Sequence, residues 1–274
     1  MIGKLYVVGT PIGNLSDFSP RGIETLKAVD FIAAEDTRVT TKLLNRFEIK
    51  KPLVSYYEHN RRERGEIIVS RILQGENCAI VTDAGMPCIS DPGQDLVDLC
   101  IEKGVIVESV PGPTAFATAL AISGMESGRF TFEGFLSVNK PSRKEHLEEV
   151  KNETRTMIFY EAPHKLKATL KDMLLTFGNR KIAVVKELTK IHETVMRTTL
   201  EGACDYFEAE PPRGEYVLII AGAEKTKEKQ PVTLEQAVEM AKDLVSKGVS
   251  VNEASKTIAS ETGIKKSLIY KELL

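Results

Sequence analysis

Carboxylates, cations and histidines recur at the ends of apolar runs in this sequence. Glu35-Asp36-Thr37-Arg38 closes Phe31 to Ala34, Glu58-His59-Asn60 closes Leu53 to Tyr57, and Lys186-Glu187, with His192-Glu193 beyond, closes Ile182 to Val185. A carboxylate in such a place can take a proton from a hydroxyl. Arg38 or Lys186 can lower a hydroxyl's pKa or hold a phosphate. His59 and His192 can act as bases near neutral pH. The same residues have plainer uses. Asp36 and Arg38 can cap the helix that follows and pair on the surface, and Glu187 can pair with Lys190.

A second set of residues suits ligand binding or, in the plainer reading, a structural loop. Thr82 to Gly93 reads Thr-Asp-Ala-Gly-Met-Pro-Cys-Ile-Ser-Asp-Pro-Gly, between an apolar run (Cys78 to Val81) and a helical pattern from Gln94. A plain strand-to-helix connection needs only about 2–6 residues. A longer loop stiffened by proline and glycine is what open α/β sheets present to ligands at strand carboxyl ends. Gly9-Thr10-Pro11-Ile12-Gly13 follows another strand, Leu5 to Val8, but lacks the G-x-G-x-x-G spacing, and no Gly-Lys-Ser/Thr follows. A pyrophosphate cradle is thereby unsupported. A ligand with an adenosine and no phosphate suits such a rim.

These clusters need a scaffold that brings strand ends together. Strand and helix patterns alternate from Leu5 to Val110, which predicts right-handed βαβ crossovers and a mostly parallel sheet. Every Gly/Pro-rich or charged cluster then falls on one rim. After Ser123-Gly124 the pattern changes. Phe130 to Phe135 alternates like a strand with one wet face, Met157 to Tyr160, Ile182 to Val185 and Tyr216 to Ala221 are apolar runs, and Glu193 to Leu200 alternates again. The expected organisation is an α/β domain with a parallel sheet over 1–114, a second α/β domain with a mixed sheet over 115–222, a charged linker over 223–230, and a small helical domain over 231–274 that resembles a helix-turn-helix.

Composition narrows the function. Hydrophobic residues make up 42% and charged residues 28% of 274, the balance of a globular protein with a real core. No apolar run approaches the length of a membrane helix, the N-terminus carries no signal pattern, and the four cysteines lack metal-type spacing. A cytoplasmic protein without a metal is expected. The net charge of −2 argues against indiscriminate nucleic-acid binding, and 6% aromatics against an extensive base-stacking platform.

The motifs taken in order are more specific than any one. Val8-Gly9-Thr10-Pro11-Ile12-Gly13-Asn14-Leu15, Ala34-Glu35-Asp36-Thr37-Arg38, Asp83-Ala84-Gly85-Met86-Pro87, Ser90-Asp91-Pro92-Gly93, Pro111-Gly112-Pro113-Thr114-Ala115, Tyr160-Glu161-Ala162-Pro163-His164, Lys186-Glu187-Leu188-Thr189-Lys190 and Arg213-Gly214-Glu215-Tyr216 resemble the tetrapyrrole-methylase superfamily. Within it they are similar to the branch that methylates small-subunit ribosomal RNA on a cytidine ribose 2′-oxygen. The resemblance covers nearly the whole chain. It implies S-adenosylmethionine in a cleft between two α/β domains, in a homodimer.

By position, the resemblance implies cofactor contacts from Thr10, Pro11, Ile12 and Gly13; from Gly85, Met86 and Pro87; from Thr114 and Ala115; and from Ala162, Pro163, Glu215 and Tyr216. Met86 stands where tetrapyrrole-modifying relatives carry an acid, so backbone groups would serve there. A ribose hydroxyl is a poor nucleophile and gains from a base or a cation. The residues offered for that are Glu35, Asp36, Arg38, Lys186 and Glu187, with His59 and His192 beside them. Arg61, Arg62 and Arg64, and Lys140, Arg143 and Lys144, form two patches suited to RNA phosphates or to a solvated helix face. The expected partner is small-subunit ribosomal RNA in the assembled subunit. The alternatives are a methyltransferase acting on a tetrapyrrole or another small molecule, and a ligand-sensing DNA-binding regulator. The near charge balance of the C-terminal segment disfavours the regulator.

Overall fold

The computed structural model describes residues 1–224 and 232–274, so most of the linker expected at 223–230 lies outside the described residues. The described chain forms two compact units, Met1–Ala223 and Glu224–Leu274.

The first half of the larger unit alternates as the sequence requires. Its elements are β1 (Lys4–Val8), α1 (Pro20–Ala28), β2 (Phe31–Ala34), α2 (Thr37–Arg46), β3 (Leu53–Ser55), α3 (Arg61–Leu73), β4 (Cys78–Val81), α4 (Gln94–Glu102) and β5 (Ile106–Val110). The strands form one sheet in the order β3-β2-β4-β1-β5, all parallel. All four residues of β2 and of β4 are buried. Such strands read as continuous apolar runs because helices cover both faces. Phe31, Ala33, Cys78 and Ile80 pack against α3 and α4 through Ile68, Ile72 and Leu96. Ile32, Ala34, Ala79 and Val81 pack the other way, against Leu26 of α1 and Leu44 of α2. Ser19 caps α1 with Pro20 at its first position, and Asp36 caps α2.

The second half contains α5 (Ala115–Ser123), β6 (Phe130–Phe135), α6 (Lys140–Glu149), β7 (Thr156–Glu161), α7 (Pro163–Phe177), β8 (Lys181–Lys186), β9 (Thr194–Thr199), α8 (Leu200–Ala209) and β10 (Tyr216–Ile220). The sheet order is β6-β7-β10-β8-β9; β6 and β7 are parallel and the remaining pairs antiparallel. Alternate residues of β7, β8 and β10 serve opposite faces. Met157, Phe159, Val184 and Leu218 pack on α6, α7 and α8. Ile158, Ala183, Val185 and Val217 pack on α5, and Ile12 from the loop after β1 packs with them. That shared cluster joins the two sheets within one unit.

The smaller unit holds α9 (Leu234–Ser246), α10 (Val251–Thr262) and α11 (Lys266–Glu272) around Ala237, Ala241, Ile258 and Ile269. A full capping box of Thr233 and Gln236 starts α9, and Gly263 ends α10 in the left-handed conformation. No helix among the described residues is long and apolar enough to cross a membrane.

Candidate active site

The parallel sheet delivers its loops to one rim, and backbone contacts tie them together. Thr10 and Gly85 form a two-way bridge, with Thr10 N–H donating to Gly85 O at 2.9 Å and Gly85 N–H to Thr10 O at 3.2 Å. The Thr10 hydroxyl, buried, donates to Thr82 O at 3.2 Å. Gly9 and Gly112 approach so closely that a Cβ on Gly112 would lie 2.8 Å from Gly9 backbone atoms, and one on Gly9 would lie 2.6 Å from the Met86 sulfur. The loops after β1, β4 and β5 therefore form one wall. Thr114 and Ala115 open α5 at its end, and the α5 N-terminus has no side-chain cap. Its second N–H, on Phe116, donates to the Tyr160 hydroxyl at 3.0 Å, which links this wall to the end of β7.

The loop after β8 meets the same wall. Gly13, Asn14 and Leu15 face Thr189, Lys190, Ile191 and His192 across an open cavity of about 610 Å³. Glu187 and Thr189 both hold left-handed backbones, at φ 52° and 65°, a conformation costly for residues with a Cβ. Lys190 reaches Glu187 at 3.0 Å and Glu215 at 2.8 Å. Glu187 also accepts the Glu215 N–H at 3.0 Å. Lys186, partly buried, ends β8 opposite Tyr216 of β10.

Acid groups gather where β2 and β4 end. The Thr82 hydroxyl donates to Glu35 at 2.8 Å, and the Asp36 N–H to Asp83 at 3.2 Å. Burial, then the charges of Glu35 and Asp83, push the Asp91 carboxyl up to about 6, with the Thr82 hydroxyl working against them. Asp83 is raised by burial and by Glu35. The Arg38 guanidinium, forked onto both oxygens of Asp36 at 3.1 and 2.7 Å, holds that carboxyl at about 2. The hydrogen bond from Lys190 likewise lowers Glu187. Asp36 and Glu187 are thus weak proton acceptors, whereas Asp91 lies nearest the range a base needs at neutral pH. In the sequence Asp91 stands only within a loop motif; its burial and its acidic neighbours are invisible without the fold.

The remaining candidates divide. Ala162 and Pro163 begin α7, where the Ala162 N–H donates to the buried Glu161 carboxylate. Arg61 pairs with Asp95 at 3.0 Å, and Arg62 and Arg64 are exposed on α3. His59 is exposed and meets the Tyr57 ring edge-on. Lys140 and Lys144 are exposed on α6.

Two residues face elsewhere and correct the expectation. Arg143 is buried, with its guanidinium on Asp172 of α7 at 2.7–2.8 Å and on Ser137 O at 3.3 Å, so it cannot also meet RNA phosphate. Helical geometry puts it on the inner side of α6 while Lys140 and Lys144 stay outside. Tyr216 turns its side chain into the core with Phe207, away from the face that carries α5 and Ile12, and its hydroxyl accepts the Arg213 N–H at 3.0 Å. Only the backbone of Tyr216 is left to line a ligand.

The family model for tetrapyrrole (corrin/porphyrin) methylases matches residues 4–204. The chain belongs to that family. Similar proteins include the "Ribosomal RNA small subunit methyltransferase I" of Synechocystis sp., 46% identical over 98% of this chain and 97% of that protein, and that of Bacillus subtilis, 43% identical over 98% and 93%. The protein of the same name from Thermotoga maritima is 45% identical and is matched over its full length by 81% of this chain. Among solved structures, cobalt precorrin-4 methyltransferase aligns with a TM-score of 0.60 at 19% identity, covering 80% of this chain and 94% of that one. Uroporphyrin-III C-methyltransferase from Thermus thermophilus, solved with S-adenyl homocysteine, aligns with a TM-score of 0.57 at 18% identity, covering 80% and 97%. These two establish the shared fold.

The rim suits the cofactor of this family. S-adenosylmethionine is a nucleoside sulfonium without phosphate, and the loops Gly9–Gly13, Thr82–Pro87 and Pro111–Ala115 carry no lysine or arginine. They offer backbone N–H groups at the start of α5, apart from that of Phe116, and the apolar side chains of Ile12 and Met86. Close backbone packing at Gly9 and Gly112 holds these loops against one another, which serves positional catalysis.

Proposed function

We propose that this chain is an S-adenosylmethionine-dependent methyltransferase that methylates the ribose 2′-oxygen of a cytidine in small-subunit ribosomal RNA. The observation that carries the proposal is 39–46% identity, over at least 81% of the chain, to proteins that all bear the name of a small-subunit ribosomal RNA methyltransferase. The rim agrees with it, being built for a nucleoside rather than a phosphate. When bound, S-adenosylmethionine supplies an activated methyl group.

The chain's own residues do the rest. In this reading the wall of Thr10–Gly13, Gly85–Pro87 and Thr114–Ala115 fixes the cofactor's orientation, with Ala162, Pro163, Glu215 and the Tyr216 backbone opposite. Glu35 and its acidic neighbours Asp83 and Asp91 accept the proton that the ribose hydroxyl gives up. Arg38 and Lys186 stabilise the developing oxyanion, and Asp36 and Glu187 hold cations in place. Arg61, Arg62, Arg64, Lys140 and Lys144 meet RNA phosphates. The proposal includes a cytoplasmic homodimer acting on the assembled subunit.

The test uses tritiated S-adenosylmethionine and small ribosomal subunits from cells lacking this protein, with deproteinised RNA as a second acceptor. The expected result is label in a ribose-methylated cytidine after digestion, strongest with subunits. Cofactor binding without label in either acceptor overturns the proposal.

A further inference from the structure

The strand β6 breaks its own alternation next to the candidate site. Phe130, Thr131 and Phe132 pair in register with Thr156, Met157 and Ile158, and then Gly134, not Glu133, pairs with Phe159. Glu133 is the extra residue of a β-bulge. Gly134 carries φ +64°, the left-handed conformation such bulges use. Without the bulge Phe135 would stand opposite Glu161 and face α6 and α7. With it Phe135 pairs with Tyr160 and joins Phe132 on the face that carries α5. One inserted residue thus turns one aromatic ring toward the rim.

Phe135 is held there yet left open. Tyr160 meets it at 5.4 Å between centroids and 61°, and Lys165 Nζ lies 5.7 Å over the ring. Phe135 nevertheless keeps 55% of its surface exposed. Tyr160 is the residue whose hydroxyl accepts the Phe116 N–H at the start of α5, directly after Thr114 and Ala115. An open ring therefore stands one side chain away from a candidate cofactor wall. The segment after it is fixed from two sides. Lys165 donates to Leu136 O and Arg143 to Ser137 O, both at 3.3 Å. This anchored turn leads straight to the start of α6 with exposed Lys140 and Lys144.

From this geometry we infer that Phe135 is a stacking surface for a nucleobase of the RNA beside the ribose being methylated, with Lys140 and Lys144 on the adjoining phosphates. The inference rests on the proposed function. A flat π face fits a base, and cations a few residues on fit the backbone of the same strand. Because bulk apolar surface alone would not discriminate, the ring is the part that matters.

Phe135→Ala, Phe135→Leu and Phe135→Trp test this in the full chain, with small ribosomal subunits as acceptor and calorimetric binding of S-adenosylmethionine as the control for an intact site. Loss of one base stack is expected to raise KM for subunits about fivefold to a hundredfold in the Ala and Leu variants. Cofactor affinity stays unchanged, and Trp restores KM to within about twofold. Phe135→Leu with an unaltered KM overturns the inference, as does a parallel loss of cofactor affinity. So does a changed oligomeric state with KM intact, which would make Phe135 a subunit contact. If the unaltered protein transfers no methyl to RNA, the proposed function itself fails; if it does and Phe135→Leu is indifferent, only the stacking role fails.

Discussion

Two arginine–aspartate pairs, one on each sheet, carry opposite meanings. At the rim of the parallel sheet, Arg38 and Asp36 pair at 2.7 Å with the arginine side chain 87% exposed. At the corner of the mixed sheet, Arg143 and Asp172 pair at the same 2.7 Å with side chains 9% and 11% exposed. The first pair joins neighbours on one helix turn and forms wherever α2 forms. The second joins residues 29 apart and exists only when α6 is packed on α7. Bond length does not separate them; burial does. A pair in water is free to serve a substrate, whereas a pair sealed from water is committed to the fold.

The contrast is sharpest under mutation of the buried pair. Arg143→Ala strands the Asp172 carboxylate and frees the Ser137 carbonyl, so it is expected to cost about 3–5 kcal/mol in urea denaturation. Arg143→Met with Asp172→Leu removes both charges and is expected to recover most of that loss. If the single variant loses less than about 1 kcal/mol, the corner is wetter than its burial implies, and Arg143 returns to the list of RNA contacts.

Next in size is a change to the packing of the rim. Gly112→Ala drives a methyl group to within 2.8 Å of the Gly9 backbone, which cannot move without shifting β1 or β5. Overpacking of this kind costs about 1–3 kcal/mol. Because the displaced atoms belong to the candidate cofactor wall, S-adenosylmethionine affinity is expected to fall at least about tenfold, read by calorimetry. Unchanged affinity would show that the wall does not bind cofactor.

The contrast also marks what the sequence can reveal. Order, type and approximate ends of the strands were legible because β2, β4 and β10 are buried on both faces and so appear as unbroken apolar runs. The rim was legible because βαβ topology sends every loop at a strand's carboxyl end to one side. The faces of side chains were not. Arg143, Lys140 and Lys144 are equivalent as letters, and only the packing of α6 decides which one is sealed in. Tyr216 stands at the expected strand entry, but which face its side chain takes turns on one residue of strand phase, and packing sends it into the core. The bulge that aims Phe135 was hidden inside what reads as plain alternation.

A smaller effect separates the acid cluster from the ion pairs around it. Asp91 carries a carboxyl raised to about 6 in the fold, against about 3.9 when unfolded. A raised carboxyl pKa favours the folded state below the unfolded value and loses that contribution as pH climbs through 6. The protein is thus penalised above pH 6 for ionising this group. The full shift corresponds to roughly 3 kcal/mol, and solvent access to Asp91 reduces that to about 1. Asp91→Asn should therefore be more stable than the parent at pH 8 by about 1 kcal/mol and equal to it near pH 4, in denaturation curves run in parallel. A difference of the same size at both pH values would assign the effect to shape rather than charge.

The smallest expected effect on stability, and the most telling, is at Arg38. Arg38→Ala removes the cation that holds Asp36 at about 2, and Asp36 still caps α2 through the residue-38 N–H. The urea midpoint should stay where it is. Catalysis should not. The turnover number on small subunits is expected to fall if, as proposed, Arg38 stabilises the ribose oxyanion. Asp36 should titrate above its present range once that cation is gone, though the residue-38 N–H still holds it below a free aspartate. Arg38→Lys keeps a cation while losing the forked geometry, so its turnover should fall less than that of Arg38→Ala. A midpoint shift as large as that of Arg143→Ala would make the exposed pair structural after all. An unchanged turnover would take Asp36 and Arg38 out of the chemistry and leave Glu35, Asp83 and Asp91 as the acids to examine at this rim.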